Sequence, residues 1–136
     1  MNLEQNKTTV ARFNYEFIEK GNIEVFNELI DASFINQTAP PGSPRGPEGV
    51  IYFFNHFLKA AFPDLKVIIH DQLAEGDKVT TRKSFYATHS GEFLGVPATN
   101  KPVVMDVIDI IRLTDGKFVE HWGILDMHSV MAQITG

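Results

Sequence analysis

The stretch "MDVIDIIRLTDGKFVEHWGILD", residues 105–126, carries the strongest indication of the fold. Its first half alternates with period two, which is typical of a β-strand whose two faces meet different surroundings. Asp115 and Gly116 follow, a pair that accepts the positive φ values of a tight reversal. The stretch therefore predicts two antiparallel strands joined by a hairpin turn. It also holds several groups that exchange protons, among apolar neighbours that indicate a protein interior.

The remaining sequence places helices before strands. Helical spacing of apolar residues predicts helices over residues 3–20, 22–30 and 46–62, and an irregular segment with a short strand at Phe34 and Ile35 lies between the last two. Period-two patterns then predict strands within 65–76, 77–95, 100–116 and 117–128, before a last helical turn at 128–135. This order indicates an α+β fold. A curved sheet with helices on one side has a concave face, and we expect that face to form a pocket.

Length and composition narrow the class of protein. With 136 residues, 43% of them hydrophobic, the chain suits a single globular domain spanning 1–136. A dispersed net charge of -5 argues against nucleic acid or an anionic membrane as a partner. The N-terminus has no basic, apolar leader pattern and no window has the length of a membrane span, so we expect a soluble cytoplasmic protein. There is no cysteine, and the five histidines lack ligand spacing, which predicts no metal site.

Four segments carry a family resemblance. They are "GPEGVIYFFNHFLKAAFPDL" (46–65), "AEGDKV" (74–79), "THSGEFLGVPATNKPV" (88–103) and "IDIIRLTDGKFVEHWGILD" (108–126). Together with the order of elements, they resemble the SnoaL-like polyketide cyclases, or ester cyclases, of the nuclear transport factor 2-like superfamily. The likeness runs from about Val10 to Gln133.

The resemblance implies a cone-shaped barrel in which a curved antiparallel sheet packs against N-terminal helices around a pocket. It also implies a homodimer formed through the open sheet, a small-molecule ligand, and neither metal nor cofactor. The characterised cyclases close a ring of a polyketide ester by intramolecular aldol condensation, with one acidic side chain handling the protons. By similarity that residue is Asp126 here. Two positions depart from the family pattern, because Asn36 and Arg112 stand where many relatives have histidines; both are expected at the pocket.

Asp126 and Asp109 are the acidic candidates. A carboxylate in an apolar pocket has a raised pKa, which lets it take a proton from an activated carbon and return it to an alkoxide. Asp126 could instead cap the terminal helical turn, a role in which aspartate is common. Asp109 shares its strand face with apolar neighbours and must therefore be paired, protonated or functional. Its structural alternative is an ion pair with Arg82 or Arg112.

Further candidates are aromatic or imidazole side chains. His121 is expected either to share a proton with a nearby carboxylate or to lie at a dimer surface. Trp122 points to the opposite side of the strand, as pocket wall or as core beneath the helices. His89 is either a ligand contact at the rim or a satisfied loop histidine. Phe13 and Phe54 belong to the helical apolar faces, and both are also expected to contact substrate.

The leading hypothesis is thus a cofactor-independent cyclase or isomerase that acts on a small polyketide-like or other carbonyl substrate. Asp126, supported by Asp109 or His121, would perform the acid/base chemistry. The alternative is a small-ligand binding or dimerisation module of the same fold without chemistry. A purely structural subunit would require a filled cone.

Overall fold

The computed structural model describes residues 2–136 and contains five α-helical segments and five strands in that range. The helical segments are α1 (Leu3–Phe13), α2 (Ile23–Leu29), α3 (Pro47–Ile51), α4 (Lys59–Ala61) and α5 (Met127–Thr135). The strands are β1 (Ile30–Asn36), β2 (Lys66–Glu75), β3 (Lys78–Thr88), β4 (Pro102–Thr114) and β5 (Lys117–Leu125). The helix-then-strand order predicted from the sequence is confirmed.

Two of the helices widen into π-helical turns. α1 continues as a π-helix over Asn14–Glu19, and α3 continues as one over Tyr52–Leu58 before α4. At the first of these the Asn14 side chain donates a hydrogen bond to the carbonyl oxygen of Val10 at 2.9 Å. π-Helical turns occur frequently at functional sites because they displace a side chain from its regular position. Here both turns contribute residues to the concave side of the sheet.

The sheet has the order β1-β5-β4-β3-β2. The pairs β2–β3, β3–β4 and β4–β5 are antiparallel. The hairpin turn between β4 and β5 has positive φ at Asp115 and Gly116, as the sequence predicts. β1 departs from the expected all-antiparallel sheet because it pairs parallel to β5. It is also longer than the short strand predicted at Phe34 and Ile35. The parallel arrangement brings the end of β1 beside the middle of β5.

Alternation along β4 decides which side chains face the interior. Its odd-numbered residues from Val103 to Leu113 are buried, and Asp109 lies among them. On β5 the pairing shifts by one residue between the Arg112–Glu120 and Leu113–Phe118 pairs, which leaves Val119 as a bulge. Phe118 and His121 consequently point to the same, inner face although they are three positions apart, an odd offset that would place them on opposite faces of a regular strand.

The hydrophobic core lies between the inner face of the sheet and the helices. Phenylalanine rings dominate it, with Phe13, Phe17 and Phe26 stacked within 6.3 Å of one another and Phe13 contacting Phe118 at 4.9 Å between centroids. Burial of each such side chain contributes about 1.5–3 kcal/mol. The core closes one end of the cone, and the opposite end stays open.

Candidate active site

A cavity of about 540 Å³ occupies the open end of the cone, within the size range of small-molecule pockets. Its wall is mostly apolar, and Thr38 and Tyr52 contribute to it where the protein meets solvent. Besides Tyr52, the ionisable side chains of the wall are Lys83, Asp109 and His121. The filled cone that a purely structural subunit would require is therefore not observed.

Lys83 and Asp109 form a buried ion pair on the cavity wall. Lys83 Nζ lies 2.9 Å from Oδ2 of Asp109 and 2.7 Å from Oδ1 of Asn14, and the Lys83 side chain is 2% exposed. Neither arginine considered from the sequence pairs with Asp109, because Arg82 and Arg112 lie on the outer face of the sheet. A buried charge requires such a partner, and here the partner comes from the adjacent strand β3.

His121 adds a second basic group to Asp109. Its Nε2 lies 3.6 Å from Asp109 Oδ2. Burial by itself raises the pKa of the Asp109 carboxyl, but the charge of Lys83 and the contacts with His121 outweigh it, so the pKa lies below its ordinary value. Asp109 is therefore an anion at neutral pH. It stabilises positive charge on its neighbours instead of storing a proton itself.

The hydrogen-bond pattern at Asn36 determines which nitrogen of His121 carries hydrogen. The backbone N–H of Thr38 donates to Asn36 Oδ1 at 3.1 Å, and the Thr38 hydroxyl does so at 3.1 Å. Because a backbone N–H only donates, this atom of Asn36 is the oxygen acceptor. Nδ1 of His121, which is 2.8 Å from it, must then be the N–H donor. Neutral His121 consequently keeps the lone pair of Nε2 for proton transfer.

Gly123 has no side chain at the place where the His121 ring lies, and a larger residue there would collide with the ring. A Cβ atom at this position would lie 2.8 Å from both Cε1 and Nε2 of His121 and 3.0 Å from Cβ of Asp109. These separations are shorter than ordinary van der Waals contacts. The backbone N–H of Gly123 also donates to the Thr38 hydroxyl at 2.9 Å. Gly123 is thus a part of the site that the sequence reasoning missed.

Asp126, the first candidate from the sequence, lies outside this arrangement. It is exposed at the N-terminus of α5, where its side chain accepts a hydrogen bond from the backbone N–H of Ser129 at 3.0 Å. It is absent from the cavity wall. The structure therefore shows the helix-capping alternative, and the expectation of Asp126 inside the pocket is corrected. β5 ends one residue earlier, and Leu125 and Met127 on either side of Asp126 line the cavity while Asp126 itself turns to solvent.

Three other candidates also lie away from the cavity. Arg112 is on the outer face, where Nε contacts Glu120 at 2.8 Å. Trp122 pairs across the sheet with Ile110 on the same outer face, neither against the helices nor in the pocket. His89 is fully buried against Phe62, and its Nδ1 is 2.9 Å from the Thr99 hydroxyl. The bulge at residue 119 turns Trp122 to the outer face, against both expectations for it, and turns His121 to the inner face beside Asp109. His89 is a buried loop histidine, but only its Nδ1 is hydrogen-bonded, because Nε2 has no partner among residues 2–136.

Five of the candidates from the sequence line the cavity, namely Asp109, His121, Asn36, Phe13 and Phe54. Lys83 and Asn14 were missed. Lys83 occupies an inward position of β3, between buried Thr81 and Phe85. A lysine at an inward position of a strand that alternates with buried residues is a signal of a buried charge, and it could have been read from the sequence.

A metal-binding cluster and a membrane-spanning helix are both absent from residues 2–136. No group of three or more histidine, cysteine or acidic side chains in this range has an arrangement suited to a metal ion. None of the helices within the same range combines the length and the hydropathy required to cross a membrane.

Comparison with known proteins identifies the family and agrees with the fold. The family model of the SnoaL-like polyketide cyclases matches residues 8–134, and the chain belongs to this family. It is 30% identical over 117 residues to the aklanonic acid methyl ester cyclase DnrD of Streptomyces peucetius, covering 82% of this chain and 79% of that protein.

Solved structures show the same likeness. The crystal structure of IdmH from Streptomyces antibioticus superposes with a TM-score of 0.87 at 37% identity, covering 97% of this chain and 99% of IdmH. A SnoaL-like protein from Jannaschia sp. CCS1 superposes with a TM-score of 0.84 at 29% identity, covering 98% and 94%. The resemblance inferred from the sequence and the predicted fold class are confirmed.

Proposed function

We propose that this protein is a cofactor-independent cyclase that closes a ring in a small polyketide-like carbonyl substrate within the cavity. One observation carries the proposal: His121 is held in a single tautomer beside the anionic Asp109, at the wall of a mostly apolar chamber. A curated relative is a cyclase of an ester, which supports the same reaction class. An ester that also contains a ketone is the simplest substrate of this kind.

The first step is proton transfer from carbon. A C–H group between two carbonyls is weakly acidic, since the resulting enolate is delocalised, and a histidine imidazole suffices as its base. His121 Nε2 accepts this proton and becomes an imidazolium that donates Nδ1–H to Asn36 and Nε2–H to Asp109. Asp109 remains ionised and stabilises the positive charge, as the buried aspartate does in other histidine-based sites.

Ring closure then follows without any other reagent. The carbanion attacks a ketone carbon of the same molecule, a carbon–carbon bond forms, and the ketone oxygen becomes an alkoxide. The imidazolium returns its proton to that oxygen, which restores neutral His121. The product is an isomer of the substrate. Holding both reacting carbons in one chamber supplies the orientation that such a reaction needs.

Because the product is an isomer of the substrate, ring closure can be tested directly by mass spectrometry. Purified protein is incubated with a panel of aromatic keto esters, and products are followed by chromatography and mass spectrometry. A new product of unchanged mass with an altered absorption spectrum is expected. His121→Asn should lower its rate by about 10²–10⁴-fold, the usual contribution of general acid/base catalysis. The cap variant Asp126→Asn is the matched control and should retain the rate. Ligand binding without any isomeric product would instead support the non-catalytic alternative.

We also propose that the protein forms a homodimer through the outer face of the sheet. Ile108 and Ile124 face each other across the β4–β5 pair there and are 52% and 76% exposed. Tyr86 and Val104 are paired in the same way and are also exposed. An apolar patch of this kind on a soluble domain favours contact with a second copy of the same surface. A cytoplasmic location stays a prediction from the sequence.

The dimer is tested by light scattering coupled to size exclusion. Ile108→Glu places a charge in the middle of the patch, and a monomer is expected. Leu94→Glu is the control, since Leu94 is exposed at 55% but belongs to a loop outside the sheet. A wild-type monomer at all concentrations would contradict the proposal.

A further inference from the structure

The Lys83 ammonium has a donor that the protein does not use. An ammonium group carries three N–H bonds, and its acceptors among residues 2–136 are one oxygen of Asn14 and one of Asp109. Lys83 belongs to the cavity wall. The remaining N–H is therefore available to an acceptor atom of a molecule bound in the cavity.

The adjoining carboxylate also has an unused atom. Oδ1 of Asp109 is buried and has no hydrogen-bond partner in the described part of the chain, although Oδ2 contacts Lys83. A buried carboxylate oxygen without a donor is costly, and a second group on a bound molecule, separate from the oxygen that Lys83 binds, would supply that donor. Asp109 and Lys83 thus present an unused acceptor and an unused donor at the same place in the cavity wall.

We propose that Lys83 forms an oxyanion site, which binds the enolate or phenolate oxygen of a planar ligand. The site deepens the proposed cyclase function and rests on the same cavity. The charges balance, because the proton that leaves the ligand hydroxyl moves to His121 Nε2. Two cations, Lys83 and His121, then face two anions, Asp109 and the ligand oxygen. A charge-assisted hydrogen bond in a water-poor pocket is stronger than a neutral one.

The walls around Lys83 suit a flat ligand. Its Nζ lies 5.5 Å from the centre of the Phe85 ring, which also lines the cavity. Phe13 and Phe54 line the same cavity, and Phe54 and Phe85 make an edge-on contact with centroids 6.2 Å apart. Aromatic walls of this kind pack well against conjugated rings. A conjugated oxyanion is thus held by aromatic rings and by one ammonium.

Binding of 4-nitrophenol tests the site without any turnover. The phenolate and phenol forms have different absorption spectra, so the ionisation state of the bound molecule is observed directly. At a pH below the pKa of free 4-nitrophenol, the wild-type protein is expected to bind the phenolate. Removing a hydrogen bond to a charged group should weaken this binding by about tenfold to a hundredfold. Lys83→Met is the first variant.

Lys83→Met leaves Asp109 as an unpaired buried anion, which can destabilise the fold. The double variant Lys83→Met/Asp109→Asn removes that charge as well and is measured in the same assay. This variant should stay folded, lose the phenolate spectrum, and bind the neutral analogue 4-nitroanisole as well as the wild type does. An unchanged phenolate spectrum in the double variant would overturn the site. The site would also be overturned if the wild-type protein bound only neutral 4-nitrophenol, or bound no 4-nitrophenol at all.

The outcomes also separate this site from the cyclase proposal. Phenolate binding that depends on Lys83, without any isomeric product from keto esters, would retain the oxyanion site and reject the cyclase. Ring closure by a wild-type protein that binds no nitrophenolate would retain the cyclase and reject the oxyanion site.

Discussion

The amide oxygen of Asn36 lies 2.8 Å from Nδ1 of His121, across 85 positions of sequence. The two residues are direct neighbours in the register of the parallel β1–β5 pair. An asparagine at the end of one strand thereby sets the tautomer of a histidine in the middle of another. This relationship leaves Nε2 as the nitrogen of neutral His121 that can accept a proton.

Replacing Asn36 by leucine should impair catalysis through His121. The ring would lose its Nδ1 acceptor, so the tautomer with the free Nε2 lone pair would no longer be favoured. Loss of a partner that orients a functional histidine typically costs about 10–100-fold, and we expect that decrease in kcat. Nitrogen NMR of labelled histidine should show a changed tautomer ratio at His121. A normal ratio together with a reduced kcat would contradict this explanation.

Gly123→Ala should displace the His121 ring. The new methyl group would meet the ring at 2.8 Å, and the ring has to move because the strand backbone is held by β4. We expect a reduced kcat and an altered pH–rate profile, with little change in the melting temperature. A double-mutant cycle with His121→Ala identifies the cause, since the double variant should be no slower than His121→Ala alone. Additive losses would show that Gly123 acts independently of His121.

Asp126→Ala should weaken the fold without affecting turnover. Loss of an aspartate N-cap costs about 1 kcal/mol, within a range of about 0.5–2 kcal/mol. Urea denaturation should show this decrease in the free energy of unfolding, whereas Asp126→Asn should restore most of it because asparagine also caps helices. A large fall in kcat in a stably folded Asp126→Asn variant would return Asp126 to the catalytic role first expected from the sequence.

Stability at acid pH should depend on Asp109. Its pKa in the folded protein lies below its ordinary value, whereas an unfolded aspartate has a pKa of about 3.9. A depressed folded pKa contributes stability that is present above the unfolded value and is lost as the pH falls through the folded value. The difference in urea midpoint between wild type and Asp109→Asn should therefore be largest near neutral pH and shrink below about pH 4. A pH-independent difference would contradict the assignment of Asp109 as an anion.

Much of the fold follows from local sequence patterns. Apolar spacing in the first part of the chain predicts the helices, and Asp115–Gly116 predicts the hairpin. Alternation along β4 correctly groups Asp109 with its apolar neighbours on one face. These features depend on residues close together in the chain, whose backbone preferences and side-chain periods act over a few positions.

The site was only partly predictable, for a reason that β5 illustrates. Simple alternation places Trp122 opposite His121 but does not say which of them faces the cavity. The bulge at Val119 turns His121 inward and Trp122 outward, and it arises from pairing with β4. The end of the strand likewise decides that Asp126 caps α5 instead of entering the cavity.

The family, the α+β class and the acid/base groups on the last hairpin could be predicted because each is encoded within short segments of the chain. Which residues meet at the site depends instead on tertiary contacts. Lys83, Asp109, His121 and Asn36 come from four different strands, and their contacts depend on strand register and on one bulge. Register is a property of the whole sheet, since a shift of one residue exchanges its two faces.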